Sequence, residues 1–371
     1  MPRYDWSTAG SDAGLGWPSL RAFRSNFWHC GPVRSARAVQ CDFVSDQIPT
    51  TVLSDVVVEV PEPRSRDILV QVEAVSVNPI DTKVRRRMTV ADSPRVLGWD
   101  AAGVVRALGS DVQSFEIGDR VWYAGALTRP GSNCELQLVD ERIVARRPAS
   151  LNPAEAAALP LTSLTAWELL FDRLEVNPSA RILVVGAAGG VGSIAVQLAD
   201  YVGAAVIGTA SRAETNQWLN SLGITTVLNH SRSLEEELSA LNVSGVSHVA
   251  LLTQSAMHFA AVAAILAPQG KLGMIDDPAE PIDITLLKGK SISLHWESMF
   301  TRSLYETSDM TRQHDILNQI ADLVDEGSIT STFNHDLGVI CAENLEQAHE
   351  LVASQRTIGK IVLSGWPEKT N

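Results

Sequence analysis

The chain has 371 residues, long enough for two domains, and 45% of them are hydrophobic, which excludes an intrinsically disordered protein. Lys and Arg number 30 against 43 Asp and Glu, a formal charge of −13 that argues against a nucleic-acid partner. Cys30, Cys41, Cys134 and Cys341 form no C-x-x-C pair, so neither a disulfide framework nor a zinc ribbon is expected, and a reducing cytoplasm suits them.

Residues 1–36 show no periodicity; Trp6, Trp17 and Trp28 stand among glycine, serine and arginine. They contain no apolar core of a secretory signal, and Asp5 and Asp12 do not suit an acid-poor transit peptide. The segment reads as a disordered extension or an over-long start, with a mitochondrial presequence the lesser alternative. From Arg37 the chain reads as β-structure. Ala38–Gln40, Thr51–Val60, Ile68–Val77, Val96–Leu108 and Arg120–Tyr123 are strand-like, with Pro61, Pro63, Pro79 and Pro94 and several glycines between them. Short strands with glycine turns predict a small barrel. Lys83, Arg85, Arg86, Arg87 and Arg95 make a local basic patch, able to meet phosphates or to stand as a solvated loop.

The most informative stretch begins at Arg181. Ile182 to Val185 reads as a buried parallel strand that stops at Gly186-Ala187-Ala188-Gly189-Gly190-Val191-Gly192, and a small-residue helix starts at once. This is the form of a strand-turn-helix that seats a dinucleotide pyrophosphate on a helix N-terminus. Ile182 to Ala199 carries no charge, but its glycines, Ser193 and Gln197 argue against a lipid-facing helix. Strands then alternate with helices: Ala205–Thr209, Ala213–Leu222, Thr225–Leu228, Leu234–Leu241, Val246–Leu252, Ala256–Leu266 and Lys271–Ile275. The alternation predicts a doubly wound parallel sheet covered on both faces. Asp309–Asp325 and Glu343–Ala353 read as helices, and Ile358–Leu363 as a terminal strand.

The end of the second strand of that sheet discriminates between nicotinamide cofactors. An NAD site usually has an Asp or Glu there, accepting from the ribose 2′-OH. Here Thr209-Ala210-Ser211-Arg212 offers a hydroxyl and a guanidinium and no carboxylate. Arg212 presents a charge-assisted fork to a 2′-phosphate, so NADP(H) is expected.

Ordered motifs extend this reading over about residues 37–365. They are Ser76-Val-Asn-Pro-Ile-Asp-Thr-Lys83, Leu97-Gly-Trp-Asp-Ala-Ala-Gly-Val-Val105, Gly118-Asp-Arg-Val121, Leu161-Thr-Ser-Leu-Thr-Ala-Trp167, the glycine turn, Asn229-His230, His295-Trp-Glu297 and Ile358-Gly-Lys-Ile-Val-Leu363. Together they resemble the medium-chain dehydrogenase/reductases, in the quinone oxidoreductase branch and its zinc-type alcohol dehydrogenase-like proteins. The resemblance implies a GroES-like β-barrel plus a Rossmann domain, an α/β class, with the active site between them. It implies domains at 37–160 and 161–300 and a C-terminal segment, 301–371, that returns to the catalytic domain. It also implies a homodimer built by edge pairing of the cofactor sheets, here through Lys290–Trp296.

The same resemblance places Lys83 beside the nicotinamide half and Asn78 in the nicotinamide–substrate pocket, unless Asn78 is only the turn residue before Pro79. Thr165 approaches the nicotinamide or is simply a helix N-terminal residue. Gly186, Ala188, Gly189, Gly190, Val191 and Gly192 hold the pyrophosphate, and Ser211 and Arg212 the 2′-phosphate. His230 lies near the adenosine end, or is a surface-loop histidine. Tyr123 is either an oxyanion donor or a packed barrel aromatic, the latter being preferred.

No metal is expected. Zinc-dependent relatives present a Cys and then a Gly-His-Glu, whereas this chain has the Asn78 region and Gly98-Trp99-Asp100. Tryptophan does not ligate zinc and asparagine is a poor ligand for it. Asp81 and Asp100 with His258 or His295 are the remaining donors, but their spacing does not ask for a site. Without a Lewis acid an alkoxide loses its main stabilisation. An acceptor that delocalises the incoming charge onto oxygen remains reducible. The expectation is therefore an NADPH-dependent, zinc-free reductase of quinones or α,β-unsaturated carbonyl compounds, with a small-molecule substrate, no nucleic-acid or membrane partner and a cytoplasmic location. An alcohol dehydrogenase of small alcohols and a non-catalytic NADPH-binding protein are the alternatives.

Overall fold

A computed structural model describes residues 33–45 and 50–368. Most of the expected N-terminal extension lies outside the described residues. Its last residues do not: Val33 to Ala36 already pair with Pro61 to Val58, so the first strand starts before Arg37. This strand, β1 (Val33–Ser45), lies antiparallel to β2 (Thr50–Pro61), and β3 (Asp67–Val77) follows.

Directly after β3 the chain turns into α1 (Pro79–Arg87). The basic patch is therefore largely helical, not a loop. Pro79 occupies a first-turn position that needs no N–H, Asp81 stands in the first turn and Arg85, Arg86 and Arg87 in the last, all favourable to the helix dipole. The strand expected over Val96–Leu108 is broken into β4 (Arg95–Val96) and β5 (Ala101–Leu108), because Gly98 takes a φ of +111° between them. β6 (Arg120–Tyr123), β7 (Leu136–Asp140) and β8 (Val144–Arg146) complete the N-terminal part, and α2 (Pro153–Ala157) and α3 (Pro160–Trp167) lead away from it.

The central part alternates as expected: β9 (Arg181–Val185), α4 (Gly190–Tyr201), β10 (Ala205–Thr209), α5 (Ala213–Ser221), β11 (Val227–Leu228), α6 (Leu234–Ala240), β12 (Val246–Leu251), α7 (Ser255–Ile265), β13 (Leu266–Met274) and β14 (Ser293–Trp296). Its strands form a parallel sheet in the order β11-β10-β9-β12-β13-β14. The order reverses between β9 and β12, so the glycine turn after β9 stands at the switch point where such sheets hold their ligands. The edge expected at Lys290–Trp296 is β14.

After α8 (Thr301–Leu304) and α9 (Arg312–Asp325), the chain returns through β15 (Phe333–Asp336), α10 (Ala342–Ala353) and β16 (Lys360–Ser364) to the first sheet system. There β16 lies between β15 and β3 in the order β15-β16-β3-β5-β6-β8, with β7 also on β3. A separate sheet has the order β2-β1-β4. One apolar cluster runs from Val70, Trp99 and Trp122 through Leu159 and Leu164 to Ile194 and Val196, so the junction near residue 160 is buried core rather than linker. Cys41, Cys134 and Cys341 are free thiols. Among the described residues no helix is long and apolar enough to cross a membrane.

The turn between β9 and α4 depends on close backbone approach. A Cβ on Gly192 would lie 2.2 Å from the Gly186 carbonyl oxygen. We expect Gly192→Ala to lower the denaturant midpoint by an amount worth at least about 1–3 kcal/mol. Gly289→Ala, with nothing within 4 Å, is the control and should stay within about 0.5 kcal/mol.

Candidate active site

The site is built where the terminal strand passes the glycine turn. Gly359 N–H donates to Ala188 O at 2.9 Å, and β16 then runs antiparallel to β3, with Ile361 opposite Val77. This register turns the Lys360 side chain into the junction between the two parts of the chain. Its aliphatic stem packs on Gly190, where a Cβ would come within 2.8 Å of Cδ. Its ammonium donates to Val77 O at 3.1 Å, to Asp100 Oδ2 at 3.2 Å and to Asn78 Oδ1.

Asp100 is fully buried just before β5. Besides Lys360 it accepts from Ser76 Oγ at 2.8 Å, Asn78 Nδ2 at 2.8 Å and Leu161 N–H at 2.7 Å. Three of these groups can only donate, which holds Asp100 as a carboxylate. Burial pushes its carboxyl up and the Lys360 ammonium down, and the pairing opposes both shifts. Asn78 caps α1 and is 1% exposed; both ends of its amide are occupied, Nδ2 also reaching Trp99 O at 3.2 Å. Asp81 Oδ2 accepts the Asn78 N–H at 2.8 Å, while its buried Oδ1 has no partner. Burial pushes the Asp81 carboxyl up from 3.8 to about 7, against the pull of that backbone bond.

Thr165 lies well inside α3 rather than at its N-terminus, and its hydroxyl donates to Leu161 O at 2.9 Å. It is thus one turn from the N–H anchored on Asp100. Lys83 sits on α1 and reaches Asp277 Oδ2 at 3.4 Å. Tyr123 is a packed aromatic whose hydroxyl donates to Gln137 Oε1 at 2.8 Å.

The expected nucleotide residues gather at the carboxyl ends of β9, β10 and β11. Gly189 precedes α4, whose first-turn N–H groups have no carbonyl partner within the helix. Gly186 N–H donates to Thr209 Oγ1 at 3.2 Å, and that hydroxyl meets His230 Nδ1 at 3.1 Å. His230 is half-buried and edge-on to His258, ring centroids 5.8 Å apart. Burial, then His258 and Arg212, hold it below its ordinary value. Ser211 is exposed, and Arg212 caps α5 and donates to Arg356 O at 2.8 Å. Glycines without side chains and free N–H groups at a helix start fit a dinucleotide pyrophosphate. A cavity of about 620 Å³ lined by Ser179, Arg181, Ser247 and Lys290 opens at the amino ends of the strands, away from this chemistry.

The residues in the zinc slots do not fit the metal. Trp99 is buried and donates through Nε1 to Ala126 O at 3.2 Å, and Asn78 Oδ1 already holds an ammonium. Among the described residues no group of three or more His, Cys, Asp or Glu is placed to hold a metal ion. Lys360 and Asp277 were not foreseen as site residues. The usable signal for Lys360 was a lone charge in the apolar run Ile358–Leu363; Asp277 had none.

A GroES-like sheet domain joined through its core to a doubly wound nucleotide fold defines a medium-chain oxidoreductase. Residues 64–149 match the alcohol dehydrogenase GroES-like domain and residues 222–363 the zinc-binding dehydrogenase domain. A zinc-type alcohol dehydrogenase-like protein of Staphylococcus aureus is 40% identical over 310 residues, 82% of this chain and 92% of the relative. A 2-methylene-furan-3-one reductase of Solanum lycopersicum is 38% identical over 191 residues, 49% of each chain. Among solved structures, a Rhizobium etli protein assigned to the zinc-dependent alcohol dehydrogenases is 48% identical with a TM-score of 0.86, covering 91% of this chain and 100% of that one. An Escherichia coli quinone oxidoreductase in complex with NADPH has the same fold at 24% identity, with a TM-score of 0.74 over 89% of this chain and 100% of that one. The chain belongs to the zinc-type alcohol dehydrogenase-like family of the medium-chain dehydrogenase/reductases.

Two tests follow from the buried network. Lys360→Met leaves Asp100 buried and unpaired and should cost about 3–5 kcal/mol in denaturant unfolding. Lys360→Met combined with Asp100→Asn should recover much of that loss; a double variant no better than the single would show that no charge pairing operates. For Asp81, the folded protein keeps a proton that the unfolded chain loses above its ordinary 3.8. The stability this contributes is full at low pH and is lost as pH rises to about 7. Thermal melts of Asp81→Asn should therefore gain on wild type between pH 5 and pH 8.

Proposed function

We propose that the protein reduces quinones or α,β-unsaturated carbonyl compounds with NADPH, by hydride transfer and without zinc. The observation that carries this reading is the Lys360 ammonium lodged on Asn78 and Asp100, where zinc-dependent relatives offer metal ligands. A chain without that Lewis acid is suited to an acceptor that spreads the incoming charge itself, not to an alcohol. When bound, a reduced nicotinamide supplies a hydride to the electron-poor carbon of the acceptor, and water supplies the proton that completes the reduction.

The chain's own residues bind and orient. Gly186, Ala188, Gly189, Gly190, Val191 and Gly192 hold the pyrophosphate, with the first-turn N–H groups of α4 facing it. Ser211 and Arg212 hold the 2′-phosphate, with His230 beside them. Lys83 and Thr165 flank the nicotinamide end. Asn78 acts as a positioning residue: it fixes the start of α1, and so the height of Lys83 in the cleft. The tomato relative's activity on a methylene-furanone and the NADPH in the E. coli structure agree with this reading. We also propose a homodimer through β14, whose outer side is an unpaired sheet edge among the described residues, with Trp296 51% exposed.

Steady-state assays with a quinone, an enone and a small alcohol test the reading, each with NADPH or NADH for the reductions and NADP+ or NAD+ for the alcohol. NADPH-dependent reduction of the first two, with no alcohol oxidation, is expected. Arg212→Ala should raise KM for NADPH about tenfold and leave NADH unchanged. Equal losses for both nucleotides, or a zinc-dependent alcohol oxidation, would overturn it.

A further inference from the structure

A separate set of charges crosses the mouth of the cleft. α1 runs outward from Asn78, and past Asp81 it carries Lys83, Arg85, Arg86 and Arg87 without another acid. Arg85 is turned away, bonded to Thr51 and to Glu346. Lys83 and Arg87 reach across to Asp277 Oδ2 at 3.4 and 3.2 Å. Asp277 lies just past the carboxyl end of β13, on the opposite wall and on the side of the sheet where ligands sit. Side chains of Lys83, Arg87 and Asp277 are 27%, 46% and 31% exposed, so all three remain open to solvent. Arg86 is exposed too, and no acid pairs with it among the described residues. The neighbouring Asp276 is directed to α7, where it accepts the Ser255 N–H at 3.1 Å. Lys83 and Arg87 thus share one carboxylate, with Arg86 exposed beside them on α1, in a chain whose formal charge is −13. A local field of that sign concentrates anions there.

We propose that Lys83 and Arg87 form an anion-recognising rim, which selects enone or quinone acceptors bearing a carboxylate, sulfonate or phosphate. Asp277 is the resident counter-ion that the acceptor's anion displaces; exposed pairs of this kind are held weakly. Arg87 takes the acidic group in a planar fork, and Lys83, nearer the nicotinamide end, adds a point charge. The proposal rests on the reductase reading above and adds the substrate class to it.

Acetylacrylate and its methyl ester test it, because both carry the same conjugated ketone and only one is charged. Wild type should show the lower KM for the acid. Arg87→Gln should raise KM for the acid about three- to fivefold and leave the ester and kcat unchanged. Asp277→Asn should lower KM for the acid. Parallel responses of acid and ester, or none in either variant, would overturn the rim. Calorimetric binding of both compounds to wild type and Arg87→Gln, with NADP+ in place of NADPH so that no hydride is available, separates this from the reaction itself. Acid-selective weakening without turnover supports the rim while sinking the reductase reading, and equal binding of acid and ester sinks the rim.

Discussion

The interaction on which the site depends is the buried ion pair between Lys360 and Asp100. Burying two charges is costly, and the attraction repays it only when the remaining donors and acceptors are also satisfied. Here they are. The ammonium has three oxygen partners, and the carboxylate accepts from Ser76, Asn78 and the Leu161 N–H as well as from Lys360. Those partners come from β3, the start of α1 and the first turn of α3. The pair therefore fixes, at one point, the terminal strand, the catalytic sheet and the helix that leads into the nucleotide fold. Gly359 extends the same strand to the Ala188 carbonyl, so the glycine turn is tied to the network through backbone as well.

On the reading proposed above, this arrangement lets a scaffold shared with metal enzymes work with a different chemistry. The cation at the junction is a fixed ammonium bonded within the protein, with no open coordination position to offer a substrate oxygen. Under that proposal, catalytic help comes from placement. The first-turn N–H groups of α4 and Arg212 lie beyond the ends of β9 and β10, the buried network surrounds Asn78, and Lys83 and Arg87 meet Asp277 on α1's exposed side. Asp81, with one oxygen unpartnered, completes the buried layer and holds its proton to near-neutral pH.

Much of the fold was legible because its signals are local. The glycine turn needs small residues where backbone approaches backbone, and the alternation after Arg181 repeats over short spans. The absence of an acid after Thr209 is likewise read from adjacent positions. The misreadings also have local causes. The run Val96–Leu108 looked continuous because its residues are apolar, yet Gly98 reverses the backbone inside it. Of the two readings of the basic stretch after Asp81, the solvated loop fails because its arginines lie on a helix whose cues are Pro79 and the dipole-favouring charge order. The alternative that Thr165 is simply a helix N-terminal residue fails, because α3 begins more than a turn earlier at Pro160.

From the chain alone, its fold class, the nucleotide turn, the acid-free strand end and the unsuitability of Asn78 and Trp99 as zinc ligands could all be derived, since each rests on the chemistry or spacing of neighbouring residues. Only the tertiary structure decided that Lys360 sits on Asn78 and Asp100 and that Asp277 faces Lys83 and Arg87. Those contacts join residues some 190 to 280 positions apart. They arise from the register of β16 against β3 and from the way the two walls close on each other, and no local pattern encodes either.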